Sequence, residues 1–173
     1  MPQDFFGTFF LRGDTTMPKF SIPGWGDFEI NNLVLDFNGT IATDGKLIEG
    51  VAPLLGQLHE QGMNLYVITA DTNGTVKREC ASLPVQVMVY DSATVADNKM
   101  ELVIKLGAQQ TASIGNGRND RKMFAASALS IAVIGEEGTC VQAALQADVL
   151  VSNILQALQL LTCPHRLKAT LRG

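Results

Sequence analysis

The sequence predicts an α/β fold, a three-layer arrangement with a parallel sheet between two sets of helices. Short runs that are apolar throughout alternate with segments of helical period, the pattern of strands buried on both faces. Chemistry-bearing residues follow directly after those runs, where open parallel sheets carry their functional loops. The length of 173 residues suits one domain with a substantial core.

Residues 1–28 hold Gly, Pro and aromatics without periodicity and read as a partly irregular extension. Met17 opens "MPKFSIPGW" and is a candidate later start. From about Glu29 the alternation begins. "NLVLDF" reads as a strand. "GVAPLLGQLHEQG" reads as a helix with Val51, Leu54, Leu55 and Leu58 on one face and Gly62 as its stop. "NLYVITA" and "VQVMVY" are strands around a helix at "TVKRECASL". "NKMELVIKLG" is a helix ending at Gly107, "TASIG" a short strand, and "NDRKMFAASA" the next helix. "LSIAVIG" and "DVLVS" are strands flanking the helix "TCVQAALQA", and "ILQALQLL" is a final helix. The alternating core spans residues 29–162. The remainder, 163–173, contains "CPHRLKATLRG"; it reads most simply as a solvated tail, with docking on the core or on a partner as the alternative.

Composition narrows the function. No apolar run approaches the roughly 18 residues that cross a bilayer. "FFGTFFLRG" follows Asp4 rather than a basic region, so it does not read as a signal peptide. Net charge is −4 with no long basic cluster, which argues against nucleic acid as a partner. Cys80, Cys140 and Cys163 are odd in number and far apart, and His59 and His165 are isolated, so neither a disulfide frame nor a zinc site is expected. The expected setting is cytoplasmic and reducing.

The carboxyl edges of the candidate strands then hold the interest. The first delivers Asp36, followed by Asn38, Gly39 and Thr40. The second delivers Thr69, Ala70 and Asp71. "TASIG" leads into Gly115-Asn116-Gly117-Arg118-Asn119-Asp120, and Lys99 stands on the preceding helix. Taken singly, Thr69 is an ordinary cap, Lys99 an ordinary solvated helix residue and "GNG" an ordinary turn. Their convergence on one edge is what points to a site.

These residues resemble the haloacid dehalogenase superfamily of phosphohydrolases and phosphotransferases, and within it the phosphorylation domain of P-type ATPases and its small soluble relatives. "DFNGT" is similar to the family's first motif, Asp-x-(Asp or Thr)-Gly-Thr, with Asp36 in the nucleophile position. "TADT" resembles Thr-Gly-Asp-Asn, which makes Thr69 a phosphate-binding hydroxyl with Asp71 beside it. Lys99 stands at the place of the charge-balancing lysine, with Lys105 as the alternative. "GNGRND" resembles the metal-binding Gly-Asp-Gly-x-Asn-Asp. The resemblance implies that Asp36 attacks phosphorus to give an acyl phosphate that water later hydrolyses. It implies a magnesium ion held by Asp36, the Asn38 carbonyl, Asn116 and Asp120. Gly39, Thr40, Thr69, Ala70 and Lys99 would bind the phosphate. The implied partner is a phosphorylated small molecule or a phosphoprotein.

Two departures weaken that chemistry. Asn38 replaces the general acid found two residues after the nucleophile in most family phosphatases, and it cannot exchange a proton near neutral pH. Losing such a group typically costs about 10²–10⁴ in rate. Asn116 replaces a metal-binding Asp and removes one negative charge. Slow turnover and weak magnesium binding are therefore expected, and a binding or regulatory domain without efficient turnover is the competing reading. Asn38 and Asn116 each precede Gly, a context favouring deamidation to Asp. The short motif spacings leave no room for a cap domain or an ATPase nucleotide domain, so a second subunit of a homo-oligomer is one means of covering the site. A calcium loop fails at Ile41 and Leu47, and "GNGRND" lacks the third Gly of a dinucleotide fingerprint.

Overall fold

The computed structural model describes residues 18–70 and 74–173. Its centre is a six-stranded parallel sheet. The strands are β3 (Asn32–Leu35), β6 (Asn64–Thr69), β7 (Val85–Val89), β8 (Thr111–Gly115), β9 (Leu129–Val133) and β10 (Val149–Val151). They lie in the order β10-β9-β8-β3-β6-β7, all parallel.

Side-chain alternation along β3 explains the layers. Leu33 and Leu35 face one core, with Leu55 and Leu58 of α1 (Val51–Glu60) and Leu158 and Leu161 of α6 (Ile154–Thr162). Val34 faces the other. There it joins Leu102 and Val103 of α3 (Val95–Leu106) and Met123 and Phe124 of α4 (Arg121–Ala126). Two shorter helices, α2 (Thr75–Glu79) and α5 (Val141–Ala144), complete the alternation. The three-layer α/β arrangement is therefore the one the periodicity predicts. Of the helices expected at "TVKRECASL" and "TCVQAALQA", only the first five residues of the former and the central four of the latter are helical.

Both ends of the core differ from the sequence reading. Within the extension, β1 (Lys19–Ile22) and β2 (Gly26–Glu29) form an antiparallel hairpin, with Phe20 stacked on Phe28 at 5.0 Å between ring centroids. Residues 1–17, the first part of that extension, lie outside the described residues. The expected solvated tail is instead α7 (Pro164–Leu171), which packs on β1 and α6 with Leu167 fully buried. Its terminal Gly173 N–H donates to the Pro23 carbonyl at 3.2 Å.

Between β3 and α1 there is only a small hairpin, β4 (Ala42–Thr43) and β5 (Lys46–Leu47). It is held from two sides: the Asp44 N–H donates to Glu137 Oε1 at 3.3 Å, and the Leu47 N–H to Glu79 Oε2 at 3.2 Å. Among the described residues, no helix is long and apolar enough to cross a membrane.

Candidate active site

Strand order and register bring the candidate residues together. β3 lies between β6 and β8, and the pairs Leu35 with Val67 and Leu35 with Ile114 set the level of its C-terminal end. One residue further, Asp36 stands level with Ile68 and Gly115, and Thr69 lies just beyond. The Asp36 N–H still donates to the Ile114 carbonyl at 3.0 Å, so the backbone at Asp36 is anchored to the sheet. The following loop winds tightly. The Phe37 carbonyl accepts from the N–H groups of Thr40, Ile41 and Ala42 at 3.2, 3.0 and 3.0 Å, with the Phe37 ring fully buried as its anchor.

Lys99 is the centre of the charge arrangement. None of it is exposed. Its Nζ donates to Asp36 Oδ1 at 2.6 Å, to Asp120 Oδ1 at 2.6 Å and to Asn119 Oδ1 at 3.2 Å. Burial alone would lower its pKa, but the charges of Asp36 and Asp120 and their hydrogen bonds outweigh that and hold it above the usual lysine value. Lys105, six residues on, is exposed. A buried ammonium between two carboxylates satisfies all three charges, where any one alone would be strongly disfavoured.

Asp120 is fully buried and engaged at both oxygens. Oδ2 accepts the N–H groups of Asn116 and Gly117 at 2.9 and 2.8 Å, while Oδ1 holds Lys99. Burial and then the charge of Asp36 push its pKa up to about 6, against the pull of Lys99. Gly115 makes this packing possible, since a Cβ there would lie 2.4 Å from the Asp120 carboxyl carbon. Asn119, quoted in the motif but given no role there, turns out to touch Lys99. Its signal in the sequence was only its place beside Asp120.

The oxygens of Asp36 and Asn116 converge on one hydroxyl. Thr40 Oγ1 lies 3.4 Å from Asp36 Oδ2 and 3.2 Å from Asn116 Oδ1. A hydroxyl has one proton, so it can donate to only one of them at a time. Asn116 Nδ2 donates to the Gly138 carbonyl at 3.0 Å, which orients its amide oxygen toward Thr40. This cluster of oxygen donors fits a hard cation such as magnesium. The Asp36 carboxylate and Asn116 Oδ1 are the side-chain groups here with donor capacity to hold one. Asp120, engaged throughout by the protein, orients the loop and Lys99.

The remaining predicted residues lie around this centre. Asn38 is exposed. Gly39 is buried at φ +77, where a Cβ would come within 2.2 Å of Asn116 Nδ2. The Gly39 N–H donates to the Ala42 carbonyl at 2.8 Å and the Thr40 N–H to Phe37, so both amides are engaged within the loop. Thr69 is buried, and Ala70 after it is half-buried. Asp71 lies outside the described residues.

No family model matches the chain. An uncharacterized protein of Methanocaldococcus jannaschii is 39% identical over 85 residues, 48% of this chain and 91% of that protein. A second uncharacterized protein of the same organism is 51% identical over 41 residues, 24% of this chain and 91% of its own. Among solved structures, the 3-deoxy-D-manno-octulosonate 8-phosphate phosphatase of Moraxella catarrhalis, in complex with magnesium, phosphate and KDO, is similar with TM-score 0.63. It is 19% identical, over 83% of this chain and 94% of that one. The cobalt-bound enzyme of the same kind from Haemophilus influenzae has TM-score 0.60 at 18% identity, over 75% and 90%. Solved hydrolases of the haloacid dehalogenase superfamily share the same fold.

Proposed function

Because the chain belongs to the family of those Methanocaldococcus jannaschii proteins and is built on the haloacid dehalogenase fold, we propose that it is a slow, magnesium-dependent phosphohydrolase or phosphotransferase working through Asp36. The supporting observation is the Lys99 ammonium between Asp36 and Asp120. It occupies Asp36 Oδ1 and leaves Oδ2, on the Thr40 side, as the attacking oxygen. Several solved neighbours are phosphatases of phosphorylated small molecules, which supports a substrate of that class, with a phosphoprotein as the other candidate.

In the first step Asp36 Oδ2 bonds to phosphorus and the bond from phosphorus to the ester oxygen breaks. The leaving oxygen takes its proton from water, because Asn38 has none to give. In the second step water attacks phosphorus, inorganic phosphate departs and the Asp36 carboxylate is restored. Thr69 holds a phosphate oxygen beside the nucleophile. Lys99 offsets negative charge and fixes the carboxylate plane. Since the Gly39 and Thr40 amides are engaged, the phosphate-binding amides are those of Phe37, Asn38 and Ala70. Magnesium held by Asp36 and Asn116 would supply charge neutralisation during phosphoryl transfer. With only one charged ligand, Asp36, its binding is weak. The likeness to the ATPase phosphorylation domain rests on the motif residues, and a persistent phosphoenzyme is the property it lends.

A second reading has its own observation. The Asn116 amide is held at both ends by Thr40 and Gly138, a satisfied arrangement that needs no metal. On that reading the site binds phosphate without turning it over. Intact mass after exposure to acetyl phosphate and magnesium separates the two. A phosphoryl adduct on the parent, absent from Asp36→Ala, is expected. No adduct, even with Asn38 and Asn116 both changed to Asp, would leave the binding domain as the answer.

A further inference from the structure

Behind the loop carrying Asp120 lies a groove of about 650 Å³ with no part in the chemistry above. That volume falls within the range of small-molecule sites, about 300–1,000 Å³. Its floor is apolar, formed by Ala96 of α3 and Ala125 of α4, and its walls carry Arg118, Arg121 and Lys122. Three cations in one concavity are unexpected in a chain of net charge −4. Lys122 is paired with Asp97. Among the described residues, the Arg121 side chain donates to the neutral Gln142 at 3.2 Å. Arg118 is exposed, and among the described residues neither arginine has an acidic partner. Two guanidinium groups without counter-charges match phosphate oxygens in geometry and charge. The alanine floor offers flat apolar contact for the rest of a ligand.

We propose that this groove is a second binding site, for a small molecule joining a phosphate or diphosphate to an apolar body. The phosphate lies on Arg118 and Arg121, and the body lies on Ala96 and Ala125. The site is distinct from the nucleophile's, because none of Asp36, Thr69, Lys99 and Asp120 lines it. It is also in contact with that centre. Asn119 lines the groove and accepts from Lys99 Nζ at 3.2 Å, so a bound ligand touches a residue that helps to place the ammonium. The proposal does not depend on the catalytic reading.

The test uses the full chain carrying Asp36→Asn, without magnesium, so that no turnover intervenes. Inorganic pyrophosphate and ADP are the probes, followed by calorimetry and thermal shift. Both are expected to bind, ADP more tightly. Changing Arg118 and Arg121 together to Ala should weaken both by at least about tenfold, the worth of one charge-assisted hydrogen bond. Ala125→Trp, which fills the floor from an exposed helix position and keeps the charges, should weaken ADP more than pyrophosphate. Failure of the parent to bind either probe would overturn the proposal. So would binding that is indifferent to the arginines and lost in Thr69→Ala, since that ligand would occupy the nucleophile's site. Equal affinity for ADP and pyrophosphate would remove the apolar half of the claim.

Discussion

Lys99 Nζ and Asp36 Oδ1 stand 2.6 Å apart, with the ammonium wholly sequestered from solvent. Replacing Lys99 by Met removes the cation and leaves two carboxylates facing one another. Breaking a buried ion pair from one side typically costs about 3–5 kcal/mol. Urea unfolding of Lys99→Met should show a loss of that order, whereas Lys105→Met on the exposed face should differ little from the parent. Adding Asp120→Asn to Lys99→Met should recover part of the loss by removing one of the repelling charges.

The pH dependence of stability follows from Asp120. Its pKa rises from 3.8 unfolded to about 6 folded. The folded state therefore binds more protons than the unfolded state across that window, and stability falls as pH rises through it. The full effect of such a shift is about 3 kcal/mol. In metal-free protein, the urea midpoint of the parent should decline from pH 4 toward about 6 relative to Asp120→Asn, whose amide does not titrate. A parent that gained stability over Asp120→Asn in this window would contradict the assignment. Lys99 acts at the other extreme: its raised pKa contributes stability below the usual lysine value that is lost as pH climbs through the folded one.

Asn116→Asp should behave in opposite ways with and without magnesium. The amide that donates to the Gly138 carbonyl becomes a carboxylate that cannot, leaving two acceptors in contact. Without metal the variant should lose about 1–3 kcal/mol. Magnesium should restore it and raise its melting temperature more than it raises the parent's. Asn38→Asp, at an exposed position, should leave stability nearly unchanged and raise hydrolysis of an aryl phosphate by about 10²-fold or more.

Gly115→Ala places a Cβ 2.4 Å from the Asp120 carboxyl carbon, whose oxygens are held by Lys99 and the Asn116 and Gly117 amides. Overpacking of this kind typically costs about 1–3 kcal/mol. The amide resonances of Asn116 and Gly117, which report their bonds to Asp120 Oδ2, should shift in the variant. Gly56→Ala, on α1 with nothing close to its Cβ, is the control and should stabilise slightly.

Both Asn-Gly pairs should resist deamidation. The reaction needs the following backbone nitrogen to attack the side-chain amide. The Gly39 N–H is bound to Ala42 and the Gly117 N–H to Asp120. Peptide mapping of fresh and aged folded protein should return Asn at 38 and 116 in both, while unfolded chain should convert.

The sequence was most legible where one physical signal dominated. Strands such as "NLVLDF" and "LSIAVIG" sit between two helical layers and had to be apolar on both faces, so their runs stood out. The hairpin at Lys19–Glu29 was hidden because its two strands are only four residues each, around a Pro-Gly-Trp turn. Phe20 and Ile22 do alternate with Lys19 and Ser21, but so short a period is weak evidence. The helix at Pro164–Leu171 offered a single buried side chain, Leu167, as its apolar signal. Within the site, residue types announced Asp36, Lys99 and Asp120. The engagement of the Gly39 and Thr40 amides depended on the path of the loop, which no side chain reveals.

The Lys99 clamp also bears on how the chain acquires its site. Asp36 and Lys99 are 63 positions apart, and Lys99 and Asp120 another 21. Contacts of such separation carry loop-closure entropy and form only after the intervening strands and helices have assembled. A partly folded chain can hold helices and isolated strand pairs while the three charges remain scattered. Recovery of the phosphoryl adduct during refolding is thus expected to trail helical circular dichroism, marking the moment when the middle of the sheet closes.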